Sequence, residues 1–407
     1  MRPFKELIPL EKAQDIIIRS VNPVERVEEV PLEDSLGRVL AEDVVAQINI
    51  PPFSRAAEDG YAVRAEDTFG AGIHNPVKLR IIGKVDAGEV FETPIKKGEC
   101  IEIATGAPMP KGADAVVRVE DTEKDGNFAL IYSPVYPGRS VAPEGEDIRK
   151  GEKILEKGTV LTPSKIGVVA AIGNKKVKVY AKPEVAIIPT GSEIVPPGED
   201  LAPGKIYDIN SYTLAAVVKK AGGLPRIMGT VEDDEKKIRD YLEKALKYDC
   251  VVFSGGSSVG TKDLLIDIVS EMGEVKFHGV QVKPGKPTWF AIIRGKPVFG
   301  LPGFPTSCLS DAYIFLKPAV EKMAHLPKSD SKRVKAVLSR RVVSTLGRTQ
   351  FLTVRIEKED GRIIAHPVFK TSGAITSMAN ADGYIMIPSN VDLVEKGEEV
   401  EVFIFEN

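Results

Sequence analysis

Residues 249–263 constrain the fold more than any other part of this chain. Residues 250–253 form a short, uninterrupted apolar run, which is typical of a strand buried on both faces of a parallel sheet. Residues 254–260 contain three glycines and three serines, and from Leu264 onward the apolar residues recur at helical spacing. The segment therefore predicts a strand, a glycine-rich loop and a helix. The amides of such a loop, together with the positive end of the helix, can bind an anion.

Asp263 lies at the start of the predicted helix. A carboxylate in this position usually does no more than interact with the helix dipole. Beside a bound phosphate it would repel the ligand unless a divalent cation lay between the two. A glycine-rich loop alone is weak evidence, because many tight turns look similar. The loop, the carboxylate and the downstream sequence KPGK at residues 283–286 together favour an anion site over a simple turn.

Two further strand–helix repeats precede this segment. Residues 184–189 predict a strand, and Asn210 is predicted to cap the helix that follows. Residues 224–230 predict the next strand, and Asp233 and Asp234 open the helix after it. Three consecutive strand–helix repeats indicate a parallel, doubly wound sheet with right-handed crossovers.

The carboxyl ends of parallel strands lie at one edge of a sheet, and open α/β sheets bind their ligands there. The predicted strand ends of this chain are followed by titratable residues, namely Glu193, Asp233, Asp234, Asp263, Lys283 and Lys286. Such a set suits a phosphorylated ligand held through Mg²⁺, with the lysines left for a second anion. The chain has neither a GxxxxGKS/T loop nor a GxGxxG motif, so the ordinary P-loop and Rossmann interpretations fail.

The N-terminal half consists of short β-type runs separated by glycine and proline. Residues 78–136 predict a small, separate β domain. Residues 51–62 are rich in turn residues yet apolar, so Asp59 is either a simple turn residue or a functional carboxylate. The loop that begins at Thr105 and the charged turn at residues 137–151 can both be plain hairpin loops. Beyond Pro327 the runs are again β-rich and predict a compact all-β domain.

Composition and charge argue against several classes of function. The 407 residues allow about two to four domains. A net charge of -3 argues against nucleic acid or a membrane surface as a partner. No apolar signal region is present at the N-terminus, and the longest apolar run, residues 166–172, is too short to span a bilayer. Three cysteines without CxxC spacing predict reduced core residues of a cytoplasmic protein, and four scattered histidines argue against a zinc site.

Eight stretches, spread in order over nearly the whole chain, resemble the motifs of one protein family. They are residues 57–62 (AEDGYA), 105–116 (TGAPMPKGADAV), 145–148 (GEDI), 189–193 (PTGSE), 206–211 (IYDINS), 254–263 (SGGSSVGTKD), 283–287 (KPGKP) and 300–303 (GLPG). This family is the molybdopterin molybdenumtransferase or MoeA family, which includes the gephyrin E domain. Chance agreement at so many separate stretches is negligible.

The resemblance implies a multidomain α/β plus all-β protein that forms an elongated homodimer. It implies an N-terminal helical linker domain at residues 1–45 and 150–181, with a small β-rich domain inserted at 46–149. It also implies a central three-layer, parallel-sheet molybdopterin-binding domain at 182–326 and a β-barrel-like domain at 327–407.

The resemblance also implies a reaction and its partners. Adenylylated molybdopterin and molybdate would react with Mg²⁺-dependent release of AMP, leaving the metal on the pterin dithiolene. Tungstate stays an alternative to molybdate, because both are tetrahedral dianions of nearly equal size. A molybdopterin adenylyltransferase would act upstream and apo-molybdoenzymes downstream, with no nucleic acid or membrane partner, in the cytoplasm.

Carried over position by position, the resemblance assigns catalytic roles to five carboxylates: Asp59, Asp147, Glu193, Asp234 and Asp263. Glu193 and Asp263 would hold the metal. The residues expected to bind the substrates are Thr105, Thr190, Ser254, Gly255, Gly256, Ser257, Gly260, Lys283, Lys286 and Pro302.

The chain departs from the family pattern at three places. Ser140 and Ala142 stand where the family often has Asn and Arg ahead of the GED motif, which affects one oxyanion contact. Gly279 stands where some members carry Lys, and Phe304 replaces the Asn of LPGNP, a polar ligand contact.

Two other functions fit parts of the sequence. The sheet domain resembles that of the adenylyltransferases that prepare the pterin, but such a domain alone would lack Asp59, Thr105 and Asp147. A non-enzymatic scaffold of the gephyrin type is the second alternative. The chain has no long disordered linker, which argues against the scaffold.

Overall fold

The computed structural model describes residues 7–255, 264–328, 332–359, 361–369, 371 and 373–405. The chain divides into two compact units, one formed by residues 29–36 and 40–178 and the other by residues 1–28, 37–39 and 179–407. The finer division into four domains stays a prediction. The first two elements of the described residues are helix α1 (Leu10–Ser20) and strand β1 (Val27–Pro31). None of the described helices combines the length and the apolarity that a bilayer-spanning helix requires.

The smaller unit is built mainly from short strands. They are β2 (Val44–Val45), β3 (Arg55–Ala56), β4 (Gly60–Val63), β5 (Val77–Val85), β6 (Glu99–Ile103), β7 (Ala115–Arg118), β8 (Thr122–Asp125), β9 (Phe128–Ile131), β10 (Val141–Ala142) and β11 (Lys153–Leu155). Six of them form one sheet in the order β7-β4-β6-β5-β9-β8, and β3 pairs with β10. Helix α2 (Pro163–Ala171) and strand β12 (Lys176–Tyr180) follow.

Gly60, the first residue of β4, explains part of the motif around Asp59. A Cβ at Gly60 would lie 1.9 Å from the carbonyl oxygen of Val117 on β7. Because the neighbouring backbone comes this close, the position after Asp59 accepts only glycine.

The larger unit contains an α/β sheet flanked by helices. Its strands are β13 (Glu184–Pro189), β14 (Ile194–Val195), β15 (Ile206–Tyr207), β16 (Leu224–Ile227), β17 (Cys250–Ser254), β18 (Glu274–His278), β19 (Val282–Lys283), β20 (Trp289–Ile293) and β21 (Lys296–Leu301). Its helices are α3 (Asn210–Lys220), α4 (Glu235–Ala245), α5 (Leu264–Met272), α6 (Pro305–Asp311) and α7 (Lys317–Met323). A π-helical turn, Ala312–Leu316, joins α6 to α7.

Both faces of this sheet are buried, as the apolar strands predict. The strand order is β16-β13-β17-β21-β20-β18. Alternate residues of a strand enter opposite apolar clusters, as Val252 and Phe253 of β17 do. One cluster includes residues of α1, α3, α6 and α7, and the other includes residues of α4 and α5. The predicted three-layer domain is confirmed.

The sheet is parallel only from β16 to β21. Strand β20 forms antiparallel pairs with both β21 and β18. The turn between β20 and β21 consists of Arg294 and Gly295, which both have a positive φ, as a two-residue antiparallel hairpin requires. Since β18 consequently runs in the direction of β21, it ends at the same edge as the parallel strands.

The predicted C-terminal barrel is confirmed. Its elements are β22 (Arg333–Leu338), β23 (Val342–Val343), β24 (Thr349–Glu359), β25 (Arg362–Pro367), helix α8 (Thr376–Ala379), β26 (Gly383–Ile387), β27 (Leu393–Val394) and β28 (Glu399–Ile404). Five strands close on themselves in the order β24-β25-β22-β28-β26, and β26 pairs back to β24. Strand β19 adds to β24 at Thr349 and Gln350. The barrel therefore contacts the segment that carries Lys283.

Asp311, the last residue of α6, is a fully buried carboxyl group. The hydroxyl of Thr288 donates a hydrogen bond to its Oδ2 atom, whereas its Oδ1 atom has no hydrogen-bond partner among the described residues. A Cβ at Gly285 would lie 2.1 Å from Oδ1, so the KPGK segment lies directly against this carboxyl group. Burial raises the pKa of Asp311 well above its ordinary value, although the Thr288 hydroxyl acts in the opposite direction.

We predict that Asp311→Asn flattens the pH dependence of stability. Because the pKa of Asp311 is higher in the folded state, the folded chain holds a proton that the unfolded chain releases above its ordinary pKa. The wild type should therefore lose free energy of unfolding relative to Asp311→Asn as the pH rises from 5 to 7, by up to about 1.4 kcal/mol per pH unit. Denaturant unfolding followed by fluorescence of Trp289, the only tryptophan, measures this difference. Parallel pH profiles would show that Asp311 is ionised in the folded state.

Candidate active site

Asp59 and Thr105, both predicted from sequence as site residues, lie in direct contact. One carboxylate oxygen of Asp59, Oδ1, accepts hydrogen bonds from the Thr105 amide at 2.6 Å and from the Thr105 hydroxyl at 2.7 Å. Both residues are exposed. The two bonds hold the carboxylate in one orientation and lower the pKa of Asp59, the backbone bond having the larger effect. Asp59 is consequently an ionised, oriented carboxylate at the surface of the smaller unit.

The loop that contains Ser140 contacts the residues just before Asp59. The Ser140 hydroxyl donates to the carboxylate of Glu58 at 2.5 Å, and the Ala57 amide donates to the Ser140 carbonyl at 2.9 Å. Ser140 has a φ of 53°, a left-handed conformation in which asparagine is several-fold enriched. Asp147 is exposed, and its amide donates to the carbonyl of Ile50 at 3.0 Å. The segments around residues 57, 105 and 140 therefore support one another.

In the larger unit, the sheet register brings Thr190, Ser254 and Gly255 together. The Thr190 amide donates to the Ser254 carbonyl at 2.9 Å, and the Gly255 amide donates to the Leu301 carbonyl at 3.0 Å. Gly255 has a φ of 91°, and a Cβ there would lie 2.7 Å from the Thr190 carbonyl oxygen. The hydroxyl of Ser254 is buried and has no hydrogen-bond partner in the part of the chain that the structure describes. The predicted anion loop thus begins at a tightly packed strand end with a buried hydroxyl.

Glu193 follows β13 at the same edge and is exposed. Its side chain folds back over Gly191, where a Cβ would lie 2.6 Å from Oε2 and 2.7 Å from Oε1. Gly191 has a φ of 136°, so both this close contact and the backbone conformation favour glycine here. Among the described residues, no lysine or arginine pairs with the Glu193 carboxylate. This leaves its oxygens available to a cation.

Asp234 has a structural function. It is the N-cap of α4, and its side chain accepts a hydrogen bond from the Lys237 amide at 2.9 Å. Its catalytic role stays a prediction.

The KPGK segment lies between β18 and β20 and therefore starts from the same edge of the sheet. Lys283 is exposed, and its ammonium group donates to the Thr345 hydroxyl at 2.9 Å. Lys286 is half-buried, and its carbonyl accepts a hydrogen bond from the Val280 amide at 3.0 Å. The contact between Lys283 and a barrel residue is not visible from the sequence.

The prediction that Asn210 caps α3 is wrong. Asn210 is the first helical residue, and its Nδ2 atom instead donates to the carbonyl of Gly303 at 2.9 Å. Ile209 occupies the N-cap position, and the Oδ1 atom of Asp208, one residue earlier, accepts from the Ser211 amide at 3.0 Å. The sequence held the signal for this bond, since an aspartate often accepts from an amide three residues further on at the start of a helix. Asn210, which the sequence analysis did not assign to the site, supports the loop that contains Pro302.

Four predicted site residues lie outside the described residues: Gly256, Ser257, Gly260 and Asp263. Pro302 is buried directly after β21. The described part of this edge thus offers a carboxylate with free oxygens, a buried hydroxyl, and lysines on the adjoining segment. This combination can bind a divalent cation and oxyanions.

Family models match nearly the whole chain. The MoeA N-terminal region (domain I and II) matches residues 8–173, a probable molybdopterin binding domain matches residues 186–322, and the MoeA C-terminal region (domain IV) matches residues 335–405.

Individual proteins agree with these matches. The molybdopterin molybdenumtransferase of Bacillus subtilis is 35% identical, with 92% of this chain and 89% of the relative covered. The molybdopterin molybdenumtransferase of Staphylococcus aureus is 33% identical, with 98% and 96% covered. The crystal structure of the molybdopterin biosynthesis MoeA protein of Pyrococcus horikoshii superposes with a TM-score of 0.86 at 44% identity, covering 99% of this chain and 100% of that one.

The eight sequence motifs, the three-layer sheet domain, the C-terminal barrel and the matches along the chain agree: this chain belongs to the MoeA family.

Proposed function

We propose that this chain is a molybdopterin molybdenumtransferase, which inserts molybdate or tungstate into adenylylated molybdopterin with Mg²⁺-dependent release of AMP. The names of the Bacillus subtilis and Staphylococcus aureus relatives, which match more than nine tenths of this chain, support the transferase class. The observation that carries the proposal is the edge of the α/β sheet. Ser254 ends one of three adjacent parallel strands there, and Glu193 and Pro302 follow the other two, where such sheets bind phosphorylated ligands.

Ser254 is suited to the phosphate of the ligand. Its hydroxyl is buried without a partner among the described residues, and a phosphate oxygen can accept its proton in a hydrogen bond. Gly255, the next residue, has a positive φ and no side chain that would block a ligand. We expect the substrate phosphate to bind next to these two residues.

Glu193 is suited to Mg²⁺, together with Asp263. Carboxylate oxygens are the ligands that Mg²⁺ prefers, and no described basic residue competes for those of Glu193. When bound, the metal ion would neutralise charge on the phosphate groups. Thr190 and Gly191 hold the backbone that carries Glu193, through bonds to the Ser254 and Val231 carbonyls.

Lys283 and Lys286 are suited to the oxyanion substrate. Molybdate and tungstate are dianions, and ammonium groups bind them through charge-assisted hydrogen bonds. The Lys283 ammonium group is exposed and is positioned by Thr345.

Asp59 is suited to orient a water molecule or a polar group of the substrate during the reaction. Its lowered pKa keeps it ionised, and Thr105 holds its orientation. Asp147 and Asp234 are proposed as further catalytic carboxylates on the family resemblance.

The proposed reaction also sets the partners. Its adenylylated substrate requires an adenylyltransferase upstream, and its metal-containing product requires apo-molybdoenzymes that accept it. We propose that the protein works in the cytoplasm as a homodimer.

The decisive assay incubates the protein with adenylylated molybdopterin, Mg²⁺ and molybdate. We predict release of AMP that depends on both the metal ion and molybdate. Consumption of ATP on unadenylylated molybdopterin would instead identify an adenylyltransferase, and neither activity would favour a scaffold.

We predict that Asp59→Asn lowers the rate of AMP release by about a hundredfold or more, because the charge is lost while the shape is kept. Thr105→Val should act differently. It removes the hydroxyl bond that lowers the pKa of Asp59, so the acid limb of the pH–rate profile should move to higher pH. The matched control is Asp125→Asn, which removes an exposed aspartate of the same unit that pairs with Lys78. An unchanged acid limb in Thr105→Val would contradict the assignment of that limb to Asp59.

We predict that Lys283→Ala raises the KM for molybdate on the order of tenfold or more, because a charge-assisted hydrogen bond is lost. Lys283→Arg should restore binding only in part, since a planar guanidinium cannot take the place of a compact ammonium group. Lys335→Ala, at an exposed barrel lysine paired with Glu399, serves as the control. If molybdate dependence is the same in Lys283→Ala and the wild type, Lys283 does not bind the oxyanion.

A further inference from the structure

Phe304 is a large apolar side chain that the fold leaves uncovered. It follows Pro302 and Gly303 at the end of β21 and is the N-cap residue of α6. Its relative exposure is 65%, although exposing an aromatic ring to water is unfavourable. The chain places this ring where the family motif has a polar asparagine. The ring is not part of a hydrophobic core, so packing does not explain the phenylalanine.

The position of Phe304 is nevertheless well defined. A Cβ at Gly303 would lie 3.4 Å from the Cα atom of Gly255, so the loop packs against the start of the predicted anion site. The Gly303 carbonyl accepts the hydrogen bond from Asn210, and the Phe304 carbonyl accepts one from the Cys308 amide at 2.9 Å. On the barrel side, a Cβ at Gly373 would lie 3.9 Å from the Phe304 ring. Phe304 is thus one residue away from the contact with Gly255, and Gly373 lies beside its ring.

Two residues next to this loop carry a buried polar atom without a partner. Asn210 Oδ1 and Ser254 Oγ have no hydrogen-bond partner among the described residues. Buried polar atoms in native proteins are nearly always satisfied, so Asn210 and Ser254 need a polar partner that the described residues do not supply. Asn210 itself is bonded to Gly303, which places one of these atoms next to the Phe304 loop.

An exposed aromatic ring beside the sheet edge that is proposed to bind a phosphate has the chemistry of a nucleotide or pterin site. Aromatic side chains stack on planar heterocycles, and the stacking depends little on which heterocycle is present. The Phe304 loop contacts Gly255, the residue after Ser254, so a ligand whose phosphate binds at this strand end can bring its heterocycle to the ring.

We infer that the ring of Phe304 stacks on a planar heterocycle, adenine or pterin, of the ligand bound at this edge; the inference rests on the proposed function. Phe304 is then a ligand-binding residue that replaces the polar contact of the family motif with stacking. At this position the chain accordingly contacts the face of the heterocycle.

The test compares ligands with and without a ring by isothermal titration calorimetry on the full chain with Mg²⁺. The ligands are AMP, 6-carboxypterin and, as the ring-free control, ribose 5-phosphate. Phe304→Ala should weaken the binding of AMP, if adenine is stacked, or of 6-carboxypterin, if the pterin is stacked, by about tenfold. Binding of ribose 5-phosphate should stay unchanged.

Two further variants separate stacking from general effects. Phe304→Tyr keeps an aromatic ring and should bind like the wild type, whereas Phe304→Leu keeps only apolar bulk and should bind like Phe304→Ala. Phe69→Ala removes another exposed phenylalanine, in the other unit, and should change nothing.

Three results would overturn the inference: unchanged affinity of Phe304→Ala for both ring-containing ligands, an equal loss for ribose 5-phosphate, or no binding of either ring by the wild type. The AMP-release assay distinguishes failure of the stacking inference from failure of the proposed function. Wild-type protein that releases AMP while Phe304→Ala binds both rings normally would refute the stacking alone, and wild-type protein that releases no AMP would refute the proposed function.

Discussion

The parallel register of β13, β17 and β21 is the constraint on which the candidate site depends. Burial on both faces requires these strands to be almost entirely apolar, so polar groups concentrate where the strands end. Pairing of Pro189 with Ser254, and of Ser254 with Leu301, then brings the starts of three loops abreast. The neighbouring backbones come so close there that a side chain on Gly255 would overlap Thr190. The packing of the strand ends is therefore sufficient reason for a glycine at position 255.

Apolar packing continues up to this edge and supports the segment that carries the lysines. Trp289, at the start of β20, covers Gly300 on β21, where a Cβ would lie 1.8 Å from the indole ring. Next to it, the hydroxyl of Thr288 bonds to the buried carboxyl of Asp311, and Gly285 lies against that carboxyl. Side chains that bind ligands need such rigid support, because small displacements weaken charge-assisted contacts strongly. A buried acid beneath a basic segment is consistent with this supporting role.

In the larger unit, strand register positions the predicted site residues. In the smaller unit, hydrogen bonds to side chains position them. Asp59 and Thr105 are 46 residues apart in the sequence and are joined by two bonds to one carboxylate oxygen. Ser140 bonds to Glu58 and keeps the adjoining loop in place, although it replaces the asparagine of the family. An exposed carboxylate that would otherwise rotate freely is in this way held in one orientation and kept ionised. The two units therefore position their carboxylates by different physical means.

The sequence by itself determined the elements and the family. Apolar runs and glycine-rich loops predicted the α/β sheet and a C-terminal all-β domain, because burial on one or both faces leaves a pattern in consecutive residues. The family resemblance added the barrel. The motifs around Asp59, Thr105 and Glu193 identified the MoeA family.

Only the tertiary structure decided which side chains bond to one another. It bonded Asp208 to the Ser211 amide at the start of α3, directed Asn210 to Gly303, and paired Lys283 with Thr345. It also formed the antiparallel edge of the sheet and left Phe304 uncovered. The physical reason is that hydrogen-bond partners and exposure depend on residues that are distant in sequence and close in space, and local periodicity carries no information about them.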